Sequence, residues 1–318
     1  MVSPVYLIAV ALLVAFLLGL ADRVSRGFSI SLTLGALAWM TGLSAAWLAA
    51  RFLGAAATEG FTAGFAPPFA INLRMGLLEA GLLSAVNLAF LGSAVVLAGR
   101  FRGEHLGAQV LLLMMAMGSN GLVLTRDLFN VFVFLEITAI ATYGMIALSD
   151  DEHGLAAGFK YVIAGGLSSA FFLIGTIYLY RLTGTLNIDG MIEATSASSL
   201  LAGGAGFAAL FLVVGALLVE LKPFPANGWA LDVYQSADPA VAAVISVGTS
   251  GGILAGVYKM LPMMPSSLLA VLAAVGVLTF GLSNLLGLRQ GNIRRMLGYS
   301  SVAQMGLVVS ALSFAALE

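Results

Sequence analysis

Long apolar runs separated by short polar stretches dominate the chain. A helix needs about 20 apolar residues to cross a hydrocarbon core of about 30 Å. On that measure the pattern predicts about ten spans: Pro4–Leu20, Ile30–Ala50, Leu77–Gly99, Ala108–Thr125, Leu128–Leu148, Leu155–Leu182, Leu200–Leu221, Asp238–Met260, Ser267–Leu288 and Tyr299–Ala316. All are expected to be helical, because lipid offers no partner to the backbone groups of an open sheet edge. The longest polar interruptions are Arg51–Gly76 and Thr183–Ser199, and the first, with its FAPPF, reads as a hairpin-like loop on the membrane face. The fold class expected is an all-α polytopic membrane protein, one membrane domain over 1–318. Its parts are three N-terminal helices in 1–106, a core in 107–260 and two last helices in 261–318.

Composition strengthens this picture. Of the 318 residues, 60% are hydrophobic and 9% charged, where a soluble domain carries about 25% charged residues. The mean hydropathy is +1.04. The net charge of -1 comes without a basic run, so no nucleic-acid partner is expected. The absence of cysteine excludes thiol catalysis and cysteine-ligated clusters within the chain. The two histidines, His105 and His153, fall in different loop regions, so neither a metal site nor any other cofactor is expected. The first apolar run lacks a basic leader and a small-residue cleavage site, and reads as a retained span.

Loop Lys and Arg give the orientation. The odd-numbered loops hold Arg23, Arg26, Arg100, Arg102, Lys222, Arg289, Arg294 and Arg295, and the even ones hold Arg51, Arg74, Arg126, Arg181 and Lys259. This bias favours a cytoplasmic (inner) membrane protein with both termini outside. The many small residues, as in VGTSGGILAGVY, suit close helix packing.

Four ionisable residues stand out against the apolar background: Glu136, Lys160, Glu220 and Lys222. A charge at the bilayer centre costs from about 2.5 to more than 10 kcal/mol, so such groups pair or line a water-filled path. Glu136 lies nine residues past Asp127, about 13 Å into its span. Lys160 sits about one and a half turns inside the next span. The short turn SDDEHG makes these two spans antiparallel neighbours, so the pair can meet, either as a switchable site or as a fixed lock between helices. In LVELKPFPANGW, Pro223 and Pro225 end an apolar helix just past Glu220 and Lys222. That reads as a broken helix with charges at the break, a pattern typical of transporter ion sites, or as an ordinary helix end with a Trp anchor. Glu79 suits an interfacial position, and Arg126–Asp127 suits a helix start beside the positive end of the dipole.

DLFNVFVFLEI, GFKYVIAGGLSSAFFLIGTIYLYRLTGTLNI, FPANGWALDVYQSADPAVAAVIS and GNIRRMLGYSSVAQMGLVV, in this order, resemble the antiporter-like subunits shared by respiratory complex I, Mrp-type Na+/H+ antiporters and membrane-bound energy-converting hydrogenases. The resemblance covers most of residues 60–315. It implies that Glu136 is the family's fifth-helix glutamate and Lys160 its sixth-helix lysine, members of a hydrated mid-membrane line that moves H+ or Na+. Within this pattern, Glu220 falls where the family carries a seventh-helix lysine. Lys222 follows two residues later, about 200° around a helix. Thr249 or Ser250 falls where the eighth helix often carries Lys or His. Asn227, Asp232 and Lys259 are further supporting positions. The family usually has about fourteen spans, so the resemblance implies a partial inverted-repeat fold, its remaining spans supplied by a companion such as a second antiporter-like chain or cut off by truncation of the chain. The function it implies is a membrane-arm subunit of an ion-pumping complex, with no redox centre in this chain and with other membrane subunits and the lipid bilayer as partners. The alternative of another class is a structural antiporter-like subunit that has lost transport and serves assembly. An independent solute transporter and a membrane-embedded enzyme are the weaker readings.

Overall fold

The computed structural model describes residues 2–61, 64–65, 70–101, 106–148, 152–196, 200–201 and 204–318. The chain folds as α1 (Tyr6–Val24), α2 (Arg26–Phe52), a hairpin of β1 (Thr58–Phe61) and β2 (Asn72–Met75), α3 (Leu77–Phe101), α4 (Leu106–Leu124), α5 (Leu128–Ala147), α6 (Glu152–Thr183), α7 (Ile188–Ser196), α8 (Gly204–Glu220), α9 (Gly228–Ser236), α10 (Pro239–Ala243), a π-helical segment Val244–Thr249, α11 (Ser250–Met260), α12 (Ser266–Gly287) and α13 (Ile293–Ala315). Among the described residues nine segments are long and apolar enough to cross a membrane, one of them the compound segment Pro239–Met263. The tenth expected span is the shorter apolar helix α8, of 17 residues. The protein is thus a multi-pass, almost wholly helical membrane protein.

Helix starts explain several charges that the sequence left ambiguous. Asp127 Oδ1 accepts from the Asn130 amide and opens α5. Burial raises the Asp127 pKa, and hydrogen bonds from the Asn130 and Phe129 amides work against that rise. Glu79 turns back to accept from the Gly76 amide at 3.0 Å, so it serves the start of α3. Asn292 Oδ1 accepts from the amides of Arg294 and Arg295, and α13 therefore begins at Ile293, before the expected Tyr299. His153 belongs to the first turn of α6 rather than to a loop, and His105 lies outside the described residues.

Contacts divide the chain into two compact units. The first comprises Met1–Arg126, Val133–Ser149 and Asp238–Gly252. In it α2 packs on α3 and α1 on α4, with buried polar pairs as cross-links. Asn87 and Asn120 exchange amide hydrogen bonds of 2.8 and 2.9 Å, and Thr33 donates to Gln109 at 2.9 Å. Such bonds replace those that lipid cannot offer. Arg51, expected as a loop charge, is buried and does structural work. It donates to the carbonyls of Ala55 and Met75 and to Thr58 Oγ1, tying α2 to the hairpin. The strands pair antiparallel, Thr58 opposite Met75. In FAPPF, the residues after Phe65 lie outside the described residues.

The second unit comprises Asp127–Phe132, Asp150–Ala237 and Ile253–Glu318. Its main packings are α12 on α13 and α6 on α8, with α9 against both α6 and α13. The helices α12 and α13 touch backbone to backbone. A Cβ on Gly276 would lie 2.7 Å from the Gly306 carbonyl, and one on Gly306 would lie 2.8 Å from the Gly276 carbonyl. Gly281, on the same helix α12, has no atom within 4 Å of its ideal Cβ position. Gly276→Ala should therefore destabilise the protein by about 1–3 kcal/mol through overpacking. Gly281→Ala should be neutral or mildly stabilising. Thermal melts of the two variants in detergent check this, and equal melting temperatures would refute the close approach.

Candidate functional site

The polar centre of the second unit is built at the end of α8. Pro223 and Pro225 supply no amide hydrogen for a continuing ladder, and the helix stops at Glu220. Lys222 adopts a left-handed backbone, φ 61°, which is uncommon for a residue with a side chain and clusters at functional sites. The Phe224 amide bonds Thr279 Oγ1 on α12 at 3.1 Å, and helix resumes as α9 at Gly228. The expected break is thus present.

Both charges at the break face inward, with Glu220 3% and Lys222 1% exposed. Glu220 Oε2 accepts from the Tyr161 hydroxyl at 3.0 Å. The Tyr161 ring lies flat on Trp229, centroids 4.0 Å apart and planes 9° off parallel, so its hydroxyl is held in place from α9. Lys222 Nζ donates to the Tyr234 hydroxyl at 2.9 Å. That hydroxyl shares a 3.0 Å hydrogen bond with Ser301 Oγ on α13. Lys259 on α11 is also buried. Because Lys222 and Lys259 are interior, neither belongs in the loop tally behind the orientation argument. Asn227 and Trp229 each bury a donor nitrogen with no hydrogen-bond partner among the described residues.

Lys160, the residue before Tyr161, lies at a polar mouth. Its ammonium bonds Asp232 Oδ2 at 2.5 Å, and Arg295 donates to Asp232 Oδ1 at 2.8 Å and to Gln235 at 2.9 Å. With His153 and Asn292 these groups line a cavity of about 400 Å³. Burial pushes the Asp232 carboxyl upward. The hydrogen bonds and charges of Lys160 and Arg295 outweigh that and hold it below its ordinary value. Among the described residues the ion-pair partner of Lys160 is Asp232.

Glu136, Thr249 and Ser250 belong to the first unit. Glu136 is half-buried on α5. Thr249 and Ser250 are buried and both donate to the Ile245 carbonyl at 2.8 Å. Thr249 ends the π-helical segment and Ser250 follows it, a distortion often found at functional sites. Gly248 allows that segment to reach α3, since a Cβ there would lie 2.7 Å from the Phe90 ring.

Tyr161, Tyr234, Arg295 and Ser301 were not singled out from the sequence. Tyr161 follows Lys160 directly, and Tyr234 follows Asp232 by two, so proximity to the chosen charges was the available signal. For Arg295 it was the Asn292 cap in GNIRR.

The lowered pKa of Asp232 fixes the sign of a pH effect. An acid held low when folded adds stability above its ordinary value of 3.8 and loses it as pH falls through the folded value. Asp232→Asn should lower the melting temperature at neutral pH, and the gap from wild type should close progressively below about pH 4. Melting curves at several pH values check this; a gap that persists unchanged in acid would contradict it.

Residues 125–318 match the family described as NADH:quinone oxidoreductase/Mrp antiporter, transmembrane region. NADH-quinone oxidoreductase subunit N of Desulforudis audaxviator (strain MP104C) is 32% identical over 98% of this chain, which spans 63% of that relative's length. In the solved membrane-bound sulfane sulfur reductase (MBS), an archaeal respiratory membrane complex, one chain superposes with a TM-score of 0.90 at 29% identity, covering 98% of this chain and 65% of its own. In the Mrp complex from Dietzia sp. DQ12-45-1b the values are 0.85 and 25%, covering 98% and 58%. These likenesses and the broken helix agree with the resemblance read from the motifs: the chain belongs to the NADH:quinone oxidoreductase/Mrp antiporter transmembrane family.

Proposed function

We propose that the chain is a membrane-arm subunit of a multi-subunit ion-pumping complex, moving H+ or exchanging Na+ for H+ through Glu136, Lys160, Glu220 and Lys222. The observation that carries this reading is the burial of Glu220 and Lys222 at a break in a membrane-depth helix. A buried charge in lipid is costly and is kept where it moves or binds ions. The fixed hydroxyls of Tyr161 and Tyr234 give each charge a partner that can pass or hold a proton. The mouth at Lys160, Asp232 and Arg295 supplies a polar, exposed connection to one side. Thr249, Ser250, Asn227 and Lys259 are the supporting polar positions. The partners in this reading are other membrane subunits, a second antiporter-like chain among them, in a cytoplasmic membrane with the chain's termini outside.

One observation favours the structural alternative. Lys160 is held with Arg295 on one carboxylate, which ties α6, α9 and α13 together and suits a lock. The two readings separate in the assembled complex reconstituted into vesicles. Glu136→Gln and Lys160→Ala should each slow ion movement about tenfold or more, the scale of a lost proton-transfer group, while the complex still assembles. Wild-type pumping by both variants would rule out a switching pair and leave the structural reading.

A further inference from the structure

We infer that Tyr234 and Ser301 form a hydroxyl relay that carries protons between Lys222 and the outer surface of α13. This rests on the reading of Lys222 as an ion-carrying group, and it deepens that reading by naming the ion as H+. Three polar atoms stand in line: Lys222 Nζ, Tyr234 Oη and Ser301 Oγ, spaced 2.9 and 3.0 Å. Both spacings are ordinary hydrogen-bond lengths. Lys222 and Tyr234 are buried at 1% and 5% exposure, whereas Ser301 is half-buried. The line therefore runs from the interior to a boundary. Exposed Ser300 and Gln304 neighbour Ser301 on α13, on a face that also exposes Leu297 and Leu307.

The surroundings fix the tyrosine in this role. Its ring lies against Gly298, where a Cβ would come within 2.9 Å of the Tyr234 Cβ and 3.0 Å of its ring. Ser301 is one turn along the same helix and meets the hydroxyl at the far end of that ring. The left-handed backbone at Lys222 sets the ammonium after α8 has ended, not on the helix's regular spiral. This also accounts for a lysine two residues beyond Glu220 that a helical spacing would turn away.

The transfer balances without a cofactor. Lys222 Nζ gives one proton to Tyr234 Oη as Tyr234 gives its own to Ser301. Ser301 gives its own to water at the α13 surface. Lys222 is left as the neutral amine, and each hydroxyl retains one proton. The reverse sequence reloads Lys222. Only hydrogen nuclei change owners along such a line, so a sodium ion cannot follow it.

The test uses the assembled complex in vesicles, with a pH-sensitive dye reporting proton movement. Tyr234→Phe keeps the ring and removes the hydroxyl. It should slow proton movement about tenfold or more while the complex still assembles. Ser301→Ala should slow it less and raise the ratio of rates in H2O and D2O, a readout that a purely structural serine would not move. Wild-type flux in Tyr234→Phe with loss of flux in Lys222→Met overturns the relay and leaves the proposed function intact. Wild-type flux in Lys222→Met overturns the relay together with the role of Lys222. If Tyr234→Phe fails to assemble, Ser301→Ala decides, and wild-type flux with an unchanged isotope ratio overturns the relay.

Discussion

The second unit is organised around the problem of keeping Glu220 and Lys222 out of lipid and out of bulk water. Each group carries a desolvation penalty of several kcal/mol unless polar partners replace water. The fold supplies those partners from separate elements. Tyr161 comes from α6, stacked on Trp229 of α9. Tyr234 comes from α9 and is braced by α13. The helix α9 packs against both α6 and α13, the helices that carry Tyr161 and Ser301.

The same logic explains why the break is built from prolines and a left-handed lysine. A continuous helix would place Glu220 and Lys222 on nearly opposite faces. Ending α8 at Glu220 frees Lys222 from that spiral, and both side chains then point into the unit. In the first unit, buried cross-links such as Asn87–Asn120 and Thr33–Gln109 are neutral amide and hydroxyl pairs, beside the buried Arg51. Such pairs hold helices in register without a charge to move.

Most of the fold was legible in the sequence because hydropathy and helix length are set by the same bilayer. Leu77 and Leu128 were placed as helix starts directly, and the break after Glu220 followed from Pro223 and Pro225. The start of α13 was missed because Asn292 caps a first turn that holds Arg294 and Arg295, which hydropathy assigns to a loop. That one turn hid Arg295 from the site. The charged residues themselves were legible, since charge in an apolar run is conspicuous. Their partners were not. Tyr161, Tyr234 and Ser301 are ordinary residues in sequence, and only the crossing of α6, α9 and α13 brings their hydroxyls to the charges. Arg51 shows the converse: it looked like a loop cation, and the hairpin carbonyl of Met75 makes it an interior brace.

The central claim is that the charges at the break belong to a water-connected ion path. It is tested most directly by a structure of the assembled complex at a resolution that shows water. The account predicts ordered waters that link Glu220 and Lys222 to Ser301 at one end and continue toward the mouth at Lys160 and Asp232. A dry interior around the break, with Glu220 and Lys222 bonded only to protein atoms and sealed from both ends, would contradict it and leave a scaffold that kept the family's fold.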